Sequence, residues 1–250
     1  MIVPKQEEES SPKDRIIVAL DFESAAEAHE LIAEIGGLVG AFKIGLQLFT
    51  TAGPDFVRQV AGAGHRVFLD LKFHDIPNTV ANAAIEAARL GVWMLNVHAL
   101  GGGKMMRRTM DAIGEFSTRE GMNRPKVIAV TVLTSSDANE LREAGIEKEV
   151  PDEVLNLARL TAKCGLDGVV ASALEAEAIK QTVGSAGFLV VTPGIRKTSE
   201  TNEDQKRVMT SAEAVSNGSD FLVIGRPITN AIDKKAVVES IVKEIESSEI

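Results

Sequence analysis

The densest run of residues able to do chemistry is DLKFHDIPNTV, positions 70 to 80, where Asp70, Lys72 and Asp75 fall within six positions. Carboxylates around an ammonium keep the lysine protonated, so that it can act as a general acid, and fix negative charge beside whatever it protonates. Along an extended strand Asp70 and Lys72 project to the same side. Lys43, ending the apolar run FKIG, adds a second cation, and Lys43, Asp70, Lys72 and Asp75 read as one alternating network. Opposite charges about 4 Å apart attract by roughly 4 kcal/mol at an effective dielectric near 20, enough to keep both lysines and both aspartates charged. The competing reading is a structural ion pair closing the end of a sheet, and an isolated Asp-x-Lys does not separate the two.

A second cluster lies near the C-terminus. FLVIGRPIT, positions 221 to 229, puts Gly225 and Arg226 directly after an apolar run. Backbone N–H groups at a helix start and a bidentate guanidinium are how many proteins hold phosphate, although an arginine merely salt-bridged at a rim has the same sequence. VTPGIR supplies a Pro-Gly turn with Pro193 and Arg196. The polar stretch KTSETNEDQKRV that follows reads as a mobile loop whose Gln205 would reach a ligand on closure. His74 and His98 are read as hydrogen-bonded structural groups, and neither is given a catalytic role. No GxxxxGK[ST], HExxH, CxxC or GxSxG occurs, so nothing in the motifs demands a metal or a nucleotide cofactor.

The elements that must position these residues are legible as eight short β-branched runs: RIIVALD, GAFKIGL, HRVFLDLK, VWMLNVHA, KVIAVTVL, LDGVVAS, GFLVVTPG and SDFLVIGR. Segments such as SAAEAHELIAEIG, TVANAAIEAARLG and DEVLNLARLTAKCG alternate with them, with apolar residues recurring at three and four and a glycine at the end. Near-continuous apolar strands alternating with amphipathic helices imply a parallel sheet covered by helices, and eight units predict a single-domain α/β fold, a (β/α)8 TIM barrel. A doubly wound open sheet is the alternative. Asp21, Lys43, Asp70, Lys72, His98, Thr134, Arg196 and Arg226 sit at or just past strand ends, which a barrel gathers on one rim and an open sheet scatters. Residues 1–13, with Pro4, Pro12 and an EEESS run, read as a flexible N-terminal extension, leaving 14–250 for the barrel.

The 250 residues suit one closed barrel, and the 44% hydrophobic and 25% charged fractions are those of an ordinary globular protein. A net charge of −9 disfavours nucleic acid as a partner, so an anionic ligand requires a locally positive pocket. The single cysteine, Cys164, excludes an internal disulfide, and no apolar run approaches membrane-spanning length. A cytoplasmic protein, without membrane or nucleic-acid partner, is the expectation.

In order and spacing, IIVALD, FKIG, DLKFHDIPNTV, NVHALGG, VTVLTS, TPGIR, DQKRV and VIGRPIT resemble the bacterial orotidine 5'-monophosphate decarboxylases over about residues 15 to 232. DLKFHDIPNTV carries most of the specificity. The resemblance implies a cofactor-free, metal-free carboxy-lyase that forms UMP. It implies that Asp21 and Lys43 bind the ribose hydroxyls, that Asp70 faces the substrate carboxylate, and that Lys72 protonates C6 of the pyrimidine. It also implies a homodimer in which Asp75 and Ile76 reach into the neighbouring site, helped by Asn78 and Thr79. Thr134 would contact the pyrimidine, and Pro193, Arg196, Gln205, Gly225 and Arg226 would form the loop and phosphate positions. The alternative enzyme is a Mg2+-dependent sugar-phosphate decarboxylase or aldolase of the same barrel group, which shares the Asp-x-Lys. A catalytically idle nucleotide-binding barrel is a third reading, against which the complete set of Lys43, Asp70, Lys72 and Asp75 weighs.

Overall fold

The computed structural model describes residues 11–195 and 209–248. Eight parallel strands close on themselves: β1 (Ile16–Ala19), β2 (Ala41–Gly45), β3 (Val67–Phe73), β4 (Met94–His98), β5 (Lys126–Val130), β6 (Gly168–Val170), β7 (Leu189–Pro193) and β8 (Phe221–Ile224). The ring is completed by β1 against β8, Ile16 opposite Leu222 and Val18 opposite Ile224. Outside it lie α1 (Ala25–Ile35), α2 (Leu46–Gly62), α3 (Pro77–Arg89), α4 (Gly102–Glu120), α5 (Ala138–Glu143), α6 (Val150–Lys163), α7 (Ala173–Val183), α8 (Ser211–Ser216), α9 (Arg226–Thr229) and α10 (Lys234–Ser248). The closed barrel is the architecture expected from the sequence, and it excludes the doubly wound open sheet kept as the alternative.

Strand alternation divides the core in two. Ile17, Ala19, Ala41, Phe68, Met94, Ile128, Val191 and Val223 fill the barrel interior as one cluster. Their neighbours Ile16, Val18, Phe42, Leu69, Leu95 and Val190 face outward onto the helices. Each strand is therefore buried on both faces, which explains the unbroken apolar runs. The helices supply the other half of the outer layer. In α1, Ala28, Leu31, Ile32 and Ile35 are buried at helical spacing, Ser24 caps the start through Glu27 N–H, and Gly36 follows the last turn. Burying one such leucine fully stabilises by about 2 kcal/mol, so Leu31→Asp would undo the contact of α1 with the sheet. α2 is broken at Gly53, where φ is 70°, immediately before Pro54, a sequence pair that cannot continue the helix.

The N-terminal face of the barrel is built for cohesion. Asp167, just before β6, accepts the Val127 N–H of β5 at 2.6 Å and a two-pronged contact from Arg124 at 2.8 and 2.6 Å. Asp220, just before β8, does the same for Val190 N–H and the Lys180 ammonium, both at 2.6 Å. Of the segment read as an N-terminal extension, residues 1–10 lie outside the described residues. Pro12–Arg15 forms a 3-10 turn that Ser11 and Asp14 close through a capping box. The polar groups at this end hold strands together, which leaves the opposite, C-terminal face for chemistry.

Candidate active site

Interior alternation continues upward from the apolar layer into polar residues. Ala41 is followed on the same face by Lys43, Phe68 by Asp70, Met94 by Asn96, and Ala19 by Asp21 beyond the strand end. Their heads meet at the barrel mouth. The Lys43 ammonium lies 3.1 Å from Asp21 Oδ1 and 3.4 Å from Asp70 Oδ2. The Lys72 ammonium donates to Asp70 Oδ1 at 2.7 Å. Asp70 thus has a lysine on each oxygen.

One expectation fails locally. Lys72 does not reach the site by simple alternation along β3, because the register against β4 shifts between Leu69 and Phe73. Lys72 has φ 51°, the left-handed region, and it is the sole non-glycine with positive φ among the described residues. That backbone costs on the order of 1–3 kcal/mol unless its surroundings hold it. Here Asn96 holds it: its Oδ1 accepts the Lys72 backbone N–H at 2.8 Å, while its Nδ2 donates to Asp70 Oδ1 at 2.6 Å. Asn96 is fully buried. It is not among the residues singled out from the sequence, where His98 alone of this strand is named at the rim and without a catalytic role, although counting by two from Met94 reaches it.

The electrostatics follow from burial and partners. Burial works against charge on Lys43, but the Asp70 and Asp21 carboxylates outweigh it and hold its pKa above the ordinary 10.5. Burial likewise opposes ionised Asp70, and Lys43, Lys72 and the Asn96 amide together hold it below 3.8. A negative carboxylate and a charged ammonium are thus fixed side by side. Gly45 makes room for this: a Cβ there would lie 3.1 Å from Lys43 Nζ and 3.7 Å from Asp21 Oδ1. Beside Lys72, His98 stacks on His74 with centroids 5.5 Å apart. Burial, then the His74 and Lys72 charges, push the His98 pKa down, so it is a neutral neighbour.

Two cavities share this cluster as their common wall. One, of about 180 Å³, is bounded by Lys43, Asp70 and Lys72 and by Phe68, Val130, Val170 and Thr134, a mostly apolar slot with charge on one side. The other, of about 250 Å³, runs from Asp21 and Lys43 past Pro193 and Gly194 to Gly225 and Arg226. Lys43, Asp70, Pro193 and Val223 line both, so the site is one two-lobed depression, near the lower end of the roughly 300–1,000 Å³ usual for small-molecule pockets. The slot suits a flat ring, the middle a polyhydroxylated unit, and the far lobe an anion facing a guanidinium.

The structure therefore brings together Asp21, Lys43, Asp70, Lys72, Thr134, Pro193, Gly225 and Arg226. Arg196 and Gln205 lie outside the described residues. Asp75, Ile76, Asn78 and Thr79 are placed elsewhere, at the start of α3. The Asp75 carboxylate accepts the Ile76 N–H at 2.6 Å, and among the described residues it is not joined to the Lys72 network of its own chain. Ile76 is 67% exposed, and Asn78 accepts from Arg108 Nε at 3.4 Å. A further hollow of about 450 Å³ lies outside the barrel mouth, bounded by Ile76, Pro77 and Asn78 and by Lys104, Arg107 and Arg108 of α4.

The chain resembles known proteins over most of its length. The chain is 52% identical over 234 residues to the orotidine 5'-phosphate decarboxylase of Geobacter metallireducens, covering 93% of this chain and 96% of that one. It is 51% identical over 235 residues to the enzyme of that name from Moorella thermoacetica, covering 94% and 93%. Among solved structures, an uncharacterized conserved protein from Geobacillus kaustophilus superposes with a TM-score of 0.81 at 39% identity, over 92% of this chain and 99% of that one. Orotidine 5'-phosphate decarboxylase from Lactobacillus acidophilus gives 0.81 at 38%, over 92% and 98%. The family model for orotidine 5'-phosphate decarboxylase / HUMPS matches residues 14–241, so the chain belongs to that family.

Proposed function

We propose that this chain removes CO2 from C6 of orotidine 5'-monophosphate to give UMP, the last step of de novo pyrimidine nucleotide synthesis. The observation that carries the reading is the Asp70 carboxylate held between two ammonium groups at the waist of a two-lobed cavity that ends at Arg226. Its support from relatives is close to half-identity with proteins named for this activity.

In this reading the ring occupies the slot beside Phe68, Val130 and Thr134, the ribose hydroxyls meet Asp21 and Lys43, and the phosphate meets Arg226 and the Gly225 backbone, with Pro193 shaping the turn. Arg196 and Gln205 would join the phosphate grip. The C6–carboxylate bond breaks, its electron pair stays on C6, and CO2 leaves. Lys72 Nζ stabilises that charge and donates its proton to C6, forming the C–H bond of UMP. Asp70 repels the substrate carboxylate and holds the Lys72 ammonium in place. The phosphate is remote from C6, so its binding energy goes into orientation and closure. No cofactor or metal enters these steps.

The same reading makes the protein a cytoplasmic homodimer, with Asp75 of each copy completing the neighbouring charge network and Ile76 seated against its partner. Its supports are the exposed Ile76 and Asp75 at the barrel rim and the adjoining hollow beside Arg107 and Arg108. Asn78 and Thr79 would fix the start of α3 for that purpose. Among the described residues no helix is long and apolar enough to cross a membrane.

The test is the absorbance change when orotidine 5'-monophosphate is added to purified protein in EDTA. Conversion to UMP is expected. No conversion in EDTA, with activity toward a sugar phosphate once Mg2+ is supplied, would replace this reading with the other branch of the family.

A further inference from the structure

Lys72 has the right group in the site, but on a backbone that a lysine does not adopt freely. Its φ of 51° lies where β3 leaves register with β4, so no strand ladder enforces it. The same ammonium must stay against Asp70, a carboxylate that burial alone would push toward the neutral form. One side chain touches both problems. Asn96, on the interior face of β4, accepts the Lys72 backbone N–H at 2.8 Å and donates to Asp70 Oδ1 at 2.6 Å.

We infer that Asn96 is the positioning residue of the active site, a two-ended amide clamp that fixes the Lys72 backbone with its oxygen and the Asp70 carboxylate with its nitrogen. Asn96 does not line either lobe of the cavity, so it acts through Asp70 and Lys72. An amide is the side chain of this length that presents an acceptor and a donor in one plane. Leucine would match its size but leave the Lys72 N–H without an acceptor and take from Asp70 the one donor that is not a lysine. Aspartate would keep the acceptor for Lys72 N–H but oppose Asp70 with like charge. Because Asp70 Oδ1 receives Asn96 and Lys72 together, losing the amide frees Asp70 to rotate, and the ammonium moves with it. The inference rests on the decarboxylase reading only for its kinetic consequence.

The test compares wild type with Asn96→Ala, which removes both ends of the clamp, and Asn96→Asp, which keeps the Lys72 end and fills the same volume. With orotidine 5'-monophosphate, kcat should fall by roughly 10- to 100-fold in both, the usual effect of removing a group that orients reacting side chains. The dissociation constant for UMP, which lacks the carboxylate facing Asp70, should stay within about threefold. The acid limb of kcat/KM should move to higher pH in both variants, since Asp70 loses a donor to its charged form. A packing defect alone would not move that limb. Carbon NMR of labelled aspartate reads the Asp70 titration without turnover and should show the same upward movement. An unmoved Asp70 midpoint in both variants would overturn the clamp, whatever the rates. Wild type without turnover, but with the Asp70 midpoint displaced in the variants, would instead overturn the decarboxylase reading and leave the clamp standing.

Discussion

Lys43 and Lys72 approach opposite oxygens of Asp70, at 3.4 Å on Oδ2 and 2.7 Å on Oδ1. The two lysines are therefore not duplicates. Lys43 is buried and also paired with Asp21, whereas Lys72 is partly exposed and lines the slot in which a ring would lie.

Separate duties predict separate losses. Lys72→Ala should abolish turnover while UMP still binds measurably, because the variant loses the ammonium proposed as the proton donor and keeps both lobes. Arg226→Ala should instead weaken phosphate-bearing ligands by roughly 10- to 100-fold, the worth of a charged hydrogen bond or two. Calorimetric titration of UMP into each variant, beside steady-state rates, checks the division; equal losses of binding would contradict it.

Lys43 has a structural share. Lys43→Met should lower the unfolding free energy by about 3 kcal/mol, because Asp70 then keeps only one of its two counter-charges in a buried place. Denaturant melts at neutral pH measure it. A loss under half that size would mean Lys72 and Asn96 alone satisfy Asp70.

The pH dependence has a definite sign. Asp70 titrates lower in the folded chain than its ordinary 3.8, so its contribution is complete above that value and is lost as pH falls through the folded pKa. Lys43 titrates above 10.5 when folded, so its contribution is complete below that value and is lost as pH rises through the folded pKa. Both should be intact at neutral pH, and Asp70→Asn should flatten the acid side of the stability curve. Unfolding midpoints at a series of pH values supply the comparison; an acid side just as steep in the variant would remove Asp70 as its source.

Gly45 offers a substitution with opposite effects on stability and rate. Its φ of −94° suits any residue, and replacing glycine there restricts the unfolded chain. The added Cβ nevertheless meets the Lys43 ammonium, which two carboxylates hold in place. Gly45→Ala should keep or raise the melting temperature while kcat/KM falls several-fold. A lower melting temperature with an unchanged rate would show that the backbone gives way rather than the lysine.

If Asp75 works across an interface, two dead variants should rescue each other. Mixing Lys72→Ala and Asp75→Ala dimers after dissociation should return about a quarter of wild-type activity, since half of the re-formed dimers are mixed and each then holds one complete site. No recovery, with exchange verified by sedimentation of tagged chains, would place Asp75 in its own chain's site.

The fold was legible because each strand is buried on two faces, so that runs such as VFLD and IIVA stand out without an alignment, and because glycines end the helices between them. Asp21, Lys43, Asp70 and Arg226 were legible for a related reason: a charged residue directly after an apolar run has few places to be except the rim. Lys72 does lie beside Asp70 at the barrel mouth, but the reason read from the sequence was incomplete, since counting by two assumes a regular strand and β3 leaves its register there. Asn96 was missed because a buried amide inside MLNVH has no charge to attract notice, and its importance lies in two partners 24 and 26 residues away. Contacts at that distance are set by which strands are neighbours, and the order of the barrel supplies that information.

The joint between β1 and β8 also governs how the chain is made. Ile16, Ile17 and Val18 must wait for Leu222, Val223 and Ile224 before their second edge is paired. Any sheet the chain forms before β8 is made keeps two unpaired edges, which is the form in which strands recruit other chains. Once β8 docks, no edge remains, and a finished molecule can associate with another only through side chains and loops. Truncation before Phe221 should therefore yield an aggregating chain rather than a smaller soluble enzyme, and the ribosome has to deliver nearly the entire sequence before the product is safe from its neighbours.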